Sequence, residues 1–305
     1  MKGLELSRLY YEQIGRPALE DRFPELLPQM AFGLAGEGSE CFGFDDELSR
    51  DHDWGPGFCV WLDRPDYEEF GAQVQAVYKA LPGEWAGHPV RRETPEGRGR
   101  VGVLCIQDWY TRYTGLPEGP RTLEEWRRVP EAFLATAANG AVFSDPLGRF
   151  TAVRRRLLEE FPEDLRLKRL ASRTAVMAQA GQYNFPRCVR RGETVAAGLA
   201  LAEFSRAAMS LAYLLNRRYA PFYKWMHRGL RGLPKLPRLY DQLEALFRGG
   251  NGAVELVEGI CLTAAAELRR QNLSGSQDTF LLAHSAELTA RIRDPELRKT
   301  HIMED

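Results

Sequence analysis

Near Thr122 this 305-residue chain changes character. Before that point short apolar runs are separated by turns; beyond it apolar residues recur at helical spacing almost to the last residue. The runs at 30–36, 51–62 and 100–107 read as strands, the second interrupted by Gly55-Pro56-Gly57, which predicts a bulge or turn. Between them, Phe70, Val74, Val77, Tyr78 and Leu81 share one face of an amphipathic helix over 66–81. Short helices are predicted over 4–14, 17–28 and 108–114, and a turn-rich hairpin or loop over 82–99. Downstream, helices are predicted over 122–129, 131–139, 147–160, 164–183, 190–216, 221–230, 237–247, 252–271 and 277–292. The stretch 195–215 is apolar all round, as the central helix of a bundle should be. The pattern predicts an α+β chain: a small mixed sheet with helices over 1–120, then an α-helical bundle over 121–305.

Composition narrows the functional classes. No apolar run approaches the ~18–20 residues of a membrane span, and the opening Met-Lys-Gly-Leu-Glu-Leu-Ser-Arg lacks a signal-peptide core. Five cysteines without a Cys-x-x-Cys pair argue against a disulfide scaffold or structural zinc and predict a cytoplasmic protein. The net charge of −1 conceals an asymmetry, because residues 149–238 carry 16 Arg and 3 Lys against 5 Glu and 1 Asp. The remainder is correspondingly acidic. Such surfaces can face a triphosphate and its metal, although solvated helix faces also carry arginine.

The acidic part holds the sharpest motif. An apolar strand ends at Gly36, Gly38 and Ser39 follow, and Asp51 and Asp53 come after a short spacer. Gly38 and Ser39 can bring backbone N–H groups and a hydroxyl to a phosphate, although a serine there also suits a helix N-cap. If 50–54 is extended, Asp51 and Asp53 share one face with Cα atoms roughly 6.5–7 Å apart, and His52 faces away. Two such carboxylates suit Mg²⁺, which favours few protein ligands plus substrate phosphates. EF-hand spacing does not fit the cluster.

These residues carry a resemblance. The Gly-Ser…Asp-x-Asp order resembles the signature of the DNA polymerase β-like nucleotidyltransferase superfamily, which includes aminoglycoside nucleotidyltransferases. More closely, Gly36-Glu37-Gly38-Ser39-Glu40, Phe44-Asp45-Asp46-Glu47, Ser49 to Pro56, Arg190-Arg191-Gly192-Glu193 and Leu215 to Trp225 resemble a bacterial nucleotidyltransferase-like family without an established function. The resemblance implies a nucleotidyltransferase-type sheet followed by a helical domain. It also implies a Mg²⁺-dependent transfer of a nucleoside monophosphate from an NTP to a hydroxyl, with pyrophosphate released. Asp51 and Asp53 would hold metal, and Gly38 and Ser39 would meet the β- and γ-phosphates.

The resemblance also implies a third carboxylate, general base or extra ligand, on a neighbouring strand. Here Gly102 stands where an acid could project, and Asp108 just beyond is the candidate, with Glu93, Glu96 and Glu193 more remote. In the helical half, Arg191 and Lys224 are candidates for triphosphate, and Tyr219 or Tyr183 for stacking on a base; capping and bridging roles within the bundle compete. The alternative function is a nucleotide-binding or regulatory protein on the same fold that transfers nothing. The acceptor, a small molecule or a macromolecule, is not identified by these residues, and RNA is the less favoured partner because the net charge is near zero.

Overall fold

The computed structural model describes residues 1–50, 53–91, 99–248 and 252–303. The chain divides into two compact units, Met1–Glu160 and Phe161–Asp305. The architecture is α+β, and among the described residues every strand lies in the first unit.

The first unit is built on a four-stranded sheet. Its strands are β1 (Ala31–Leu34), β2 (Cys59–Leu62), β5 (Gly102–Cys105) and β6 (Ala141–Ser144), in the spatial order β5-β2-β1-β6. A two-stranded hairpin, β3 (Glu84–Trp85) and β4 (His88–Pro89), lies between β2 and β5 in sequence. β1 runs antiparallel to β2 and to β6, whereas β2 and β5 are parallel and are bridged by helix Arg64–Lys79. β2 is covered on both faces, which is why Phe58 to Leu62 reads as an unbroken apolar run. On one face Val60, Leu62, Phe32 and Val103 pack with Tyr10, Tyr11, Leu19 and Val74 from the covering helices. On the other, Trp61 stacks on Phe150 with ring centres 3.8 Å apart and meets Trp109 edge-on at 5.4 Å. Gly33 makes room for that indole, since a Cβ there would lie 2.8 Å from Trp61 Cζ3.

Four sequence expectations change here. The boundary falls at 160/161 and not at 120/121, because β6, unpredicted, joins the sheet beside β1. The two N-terminal helices are one continuous rod over 3–22, with a π turn at Tyr11–Gly15. β2 begins only at Cys59: Gly55 has φ 136°, and Pro56 O accepts from Arg91 N at 3.1 Å, so 53–57 is a loop strapped to the hairpin. Within 50–54, Arg50 closes the 3₁₀ turn Leu48–Arg50 and Asp53 has φ 50°, so neither continues an extended strand; Asp51 and His52 lie outside the described residues.

The second unit is helical. Glu163–Val176, the π segment Met177–Asn184 and Phe185–Arg190 run as one rod, with Pro186 accommodated in the first turn of the last piece. Against this rod pack helices Thr194–Leu215 and Leu281–Ala290, with Ala253–Arg270 beside the π segment. Thr194–Leu215 is long and apolar enough to cross a membrane by length and composition, but from Phe204 onward it is mainly buried in the bundle, which accounts for its apolarity. Lys168 is fully buried, and its ammonium donates to the carbonyls of Thr300 (3.0 Å) and His301 (2.7 Å).

Candidate functional site

Strand pairing gathers the motif residues at one end of the sheet. Gly33 pairs with Cys59 across antiparallel strands, so the turn leaving β1 and the loop entering β2 emerge together. Cys59 also pairs with Gly102 in parallel, and Leu34 with Ala141 in antiparallel register. The segments entering β5 and β6 therefore join the same end. Gly38, Ser39, Asp53, Arg100 and Asn139 all belong to it.

The turn after β1 is pinned from several sides. Gly36 has φ 121°, a conformation that favours glycine. Its N–H donates to Asn139 Oδ1 at 2.8 Å and its carbonyl accepts from Asn139 Nδ2 at 2.7 Å, a reciprocal pair. Gly140 N donates to Cys41 O at 2.9 Å. Ser39–Phe42 then makes a 3₁₀ turn capped by Gly38 rather than by Ser39, so the half-buried serine is not the N-cap. Gly38 itself has φ −64° and ψ 145°, open to any residue. What requires glycine is space: a Cβ would lie 2.3 Å from Glu40 Oε1.

Glu40 folds back beneath the turn and forms a buried ion pair with Arg91; the two side chains are 2% and 3% exposed. Burial is the largest influence on Arg91 and works against its charge, but the charge and hydrogen bond of Glu40, with Cys41 and Cys59 close by, leave the guanidinium pKa raised. Burial also pushes the nearby Cys41 thiol well up and Cys59 to about 12, so both stay protonated at neutral pH. Asp45 is structural too: it accepts from Gly3 N (2.8 Å) and Trp54 Nε1 (3.3 Å), with Lys2 at 3.5 Å.

Above this base lies a more open charge cluster. Asp53 Oδ2 accepts from Arg100 Nη1 at 2.8 Å, and its side chain is 9% exposed. Arg100 Nη2 also donates to Glu37 Oε2, and Arg112 Nη2 to Glu37 Oε1, each at 3.2 Å. Arg112 is held in the last turn of helix Ile106–Thr114, and Arg100 stands two residues before the first residue of β5. The result is a chain of alternating charges, Asp53, Arg100, Glu37 and Arg112, beside the Gly-Ser turn.

The predicted residues divide accordingly. Gly38, Ser39 and Asp53 come to one sheet end, whereas Asp51 lies outside the described residues, as do His52, Glu93 and Glu96. Asp108 does not join them. It follows β5, at the opposite end of the sheet, and is 60% exposed in an ion pair with Arg64. Gly102 cannot be replaced by an acid without a clash, because φ is 93° and a Cβ would lie 2.9 Å from Gln75 Oε1. That Gln75 oxygen accepts from Val103 N at 2.8 Å. Among the described residues no group of three Asp, Glu, His or Cys side chains converges to hold a metal.

Arg191, Tyr219 and Lys224 belong to the second unit. Arg191 caps the helix Phe185–Arg190 and is exposed, Tyr219 packs edge-on against Phe161 at 5.5 Å, and Lys224 lies 5.2 Å from the Trp225 ring centre. Nearby, Tyr183 is 52% exposed beneath the Arg187 guanidinium. Sequence reasoning missed Glu37, Glu40, Arg91, Arg100, Arg112 and Asn139. The two glutamates lie inside the motif itself, but nothing local distinguishes the three arginines or Asn139 from surface residues.

Residues 126–226 match the family model described as Domain of unknown function (DUF4037). No curated protein and no solved structure gives a significant match. The matched stretch takes in β6 and the helices through Tyr223–Gly229, with Arg191, Tyr219 and Lys224, and stops short of the Gly36–Ser39 turn.

Proposed function

We propose that the first unit binds an NTP with Mg²⁺ over the Gly36–Ser39 turn and transfers its nucleoside monophosphate to a hydroxyl of an acceptor. In the transfer the acceptor oxygen bonds to the α-phosphorus and gives up its proton to water, while the bond from that phosphorus to the bridging β-phosphate oxygen breaks and pyrophosphate leaves. The observation that carries this reading is the antiparallel pairing of β1 with β2, which sets the Gly-Ser turn beside Asp53 at one sheet end. Backbone N–H groups of the turn and the Ser39 hydroxyl would meet the phosphates, and Asp53, with Asp51, would hold the metal. The bound ion supplies charge stabilisation to the in-line displacement. Asp108 has no part in it, given its place and its partner Arg64.

A second reading is favoured by Gly102 and Gln75, which fill the position of the third acid. On that reading the protein binds nucleotide and transfers nothing. Calorimetric titration of ATP, GTP, CTP and UTP with and without Mg²⁺ tests both. Metal-dependent binding lost in Asp53→Ala supports the site, and pyrophosphate release in an acceptor screen then separates transferase from binder. Unchanged binding in Asp53→Ala would remove Asp53 from the site, and no binding by any of the four NTPs would remove both readings.

A further inference from the structure

The charge cluster beside the turn contains a carboxylate in an unusual position. Glu37 is gripped by two arginines from two different elements, one N–H to each of its oxygens. A forked anion held between guanidinium groups is how a phosphate is bound. Both contacts are 3.2 Å, longer than the ~2.7–2.9 Å usual for charge-assisted bonds, whereas Arg100 holds Asp53 at 2.8 Å. Glu37 is also 39% exposed, and Arg112 36%. The grip on Glu37 is thus loose and solvent-facing, while Arg100 is anchored by Asp53.

We propose that Arg100 and Arg112 are the phosphate-gripping residues of this site and that Glu37 occupies them until a triphosphate displaces it. The inference rests on the nucleotide reading above and gives the triphosphate end of the ligand its own cations within the first unit. Exchange costs the site little. Glu37 is solvent-facing and keeps its hydration when it swings out, so an arriving phosphate chain takes over the two arginines in its place. A single guanidinium would be a common surface ion pair; two, converging from a helix and from the start of a strand onto an exposed acid beside a glycine turn, form an anion fork.

The test uses inorganic tripolyphosphate without metal, titrated calorimetrically into the full chain. Glu37→Gln removes the internal competitor and should tighten binding about fivefold, the scale of a partly exposed ion pair. Arg112→Gln should weaken it roughly tenfold or more, as loss of a charge-assisted phosphate contact does. Melting by circular dichroism checks that both variants are folded. Unchanged or weaker binding by folded Glu37→Gln, or wild-type binding by Arg112→Gln, overturns the proposal. If tripolyphosphate follows the expected pattern and none of the four NTPs binds, the fork stands and the nucleotide reading falls. If NTPs bind through Asp53 whatever stands at 37 and 112, the fork falls and the nucleotide reading stands.

Discussion

Gly38→Ala separates two explanations of a motif glycine. The backbone at Gly38 suits alanine, so conformational freedom predicts almost no loss of stability. Space predicts a large one, because the new methyl would sit 2.3 Å from Glu40 Oε1 and 2.5 Å from its Cδ. The carboxylate must then move off Arg91, and both side chains are buried. Overpacking alone costs about 1–3 kcal/mol. Breaking a buried ion pair by removing one partner costs about 3–5 kcal/mol. A displaced but present carboxylate falls between, so Gly38→Ala should lose about 2–4 kcal/mol. For a unit of this size that is a fall in Tm of roughly 5–15 °C. Urea unfolding followed by tryptophan fluorescence reads the right unit, because Trp54, Trp61, Trp85, Trp109 and Trp126 lie before residue 160 and only Trp225 after it. A double-mutant cycle with Glu40→Ala completes the argument. With the carboxylate gone the methyl has nothing to strike, so the double variant should be more stable than the summed single losses. A loss under about 0.5 kcal/mol in Gly38→Ala, or strict additivity in the cycle, would refute the steric account.

Three further outcomes follow from the same geometry. Of the five cysteines Cys188 alone is not buried, so a thiol reagent should label it promptly in the native protein and reach Cys41, Cys59, Cys105 and Cys261 only on unfolding. Glu287 accepts from Ser274 Oγ and from the N–H groups of Gly275 and Ser276, which hold its carboxyl below the usual 4.5. Its contribution to stability is therefore complete above the ordinary carboxylate range and is lost as pH falls through the lower folded value; Glu287→Gln should flatten that acid limb in pH-dependent unfolding. Gly181→Ala should cost the second unit roughly 1–3 kcal/mol in urea unfolding, because a Cβ would lie 2.2 Å from Phe204 Cδ2. Part of that loss should be relieved in a Gly181→Ala/Phe204→Ala double variant.

Most elements were legible because their periods are strong. Helices Arg64–Lys79, Thr194–Leu215 and Ala253–Arg270 lie within a few residues of where apolar spacing sets them, whereas the rod expected over 164–183 runs on to Arg190. β6 was not legible: Ala141-Val142-Phe143-Ser144 is short, half-buried on every residue and bulged against β1, so it carries no alternation. The π segment Met177–Asn184 was invisible for a related reason, since an extra residue in one turn leaves helical spacing intact on either side. At the site, Gly36, Gly38 and Asp53 could be read from local order. Their supports could not, because Arg91, Arg100, Arg112 and Asn139 reach the turn only through sheet register and the ends of two helices far along the chain. Asp108 misled because three residues past a strand end look adjacent in sequence, yet the parallel pairing of β2 and β5 puts that end opposite the motif.

The late arrival of β6 has a bearing on how this protein can be cut. β1 is buried along its whole length and lies between β2 and a strand that enters more than a hundred residues later. A fragment ending near residue 120 would leave one margin of β1 with a bare row of N–H and C=O groups flanked by Phe32 and Leu34, a template for another chain. It would also lack Asn139, the partner of Gly36. In the whole first unit the open margin belongs instead to β6, short and irregular, a poor template for further strands. The smallest piece expected to remain monodisperse is therefore 1–160, and shorter ones should self-associate through β1.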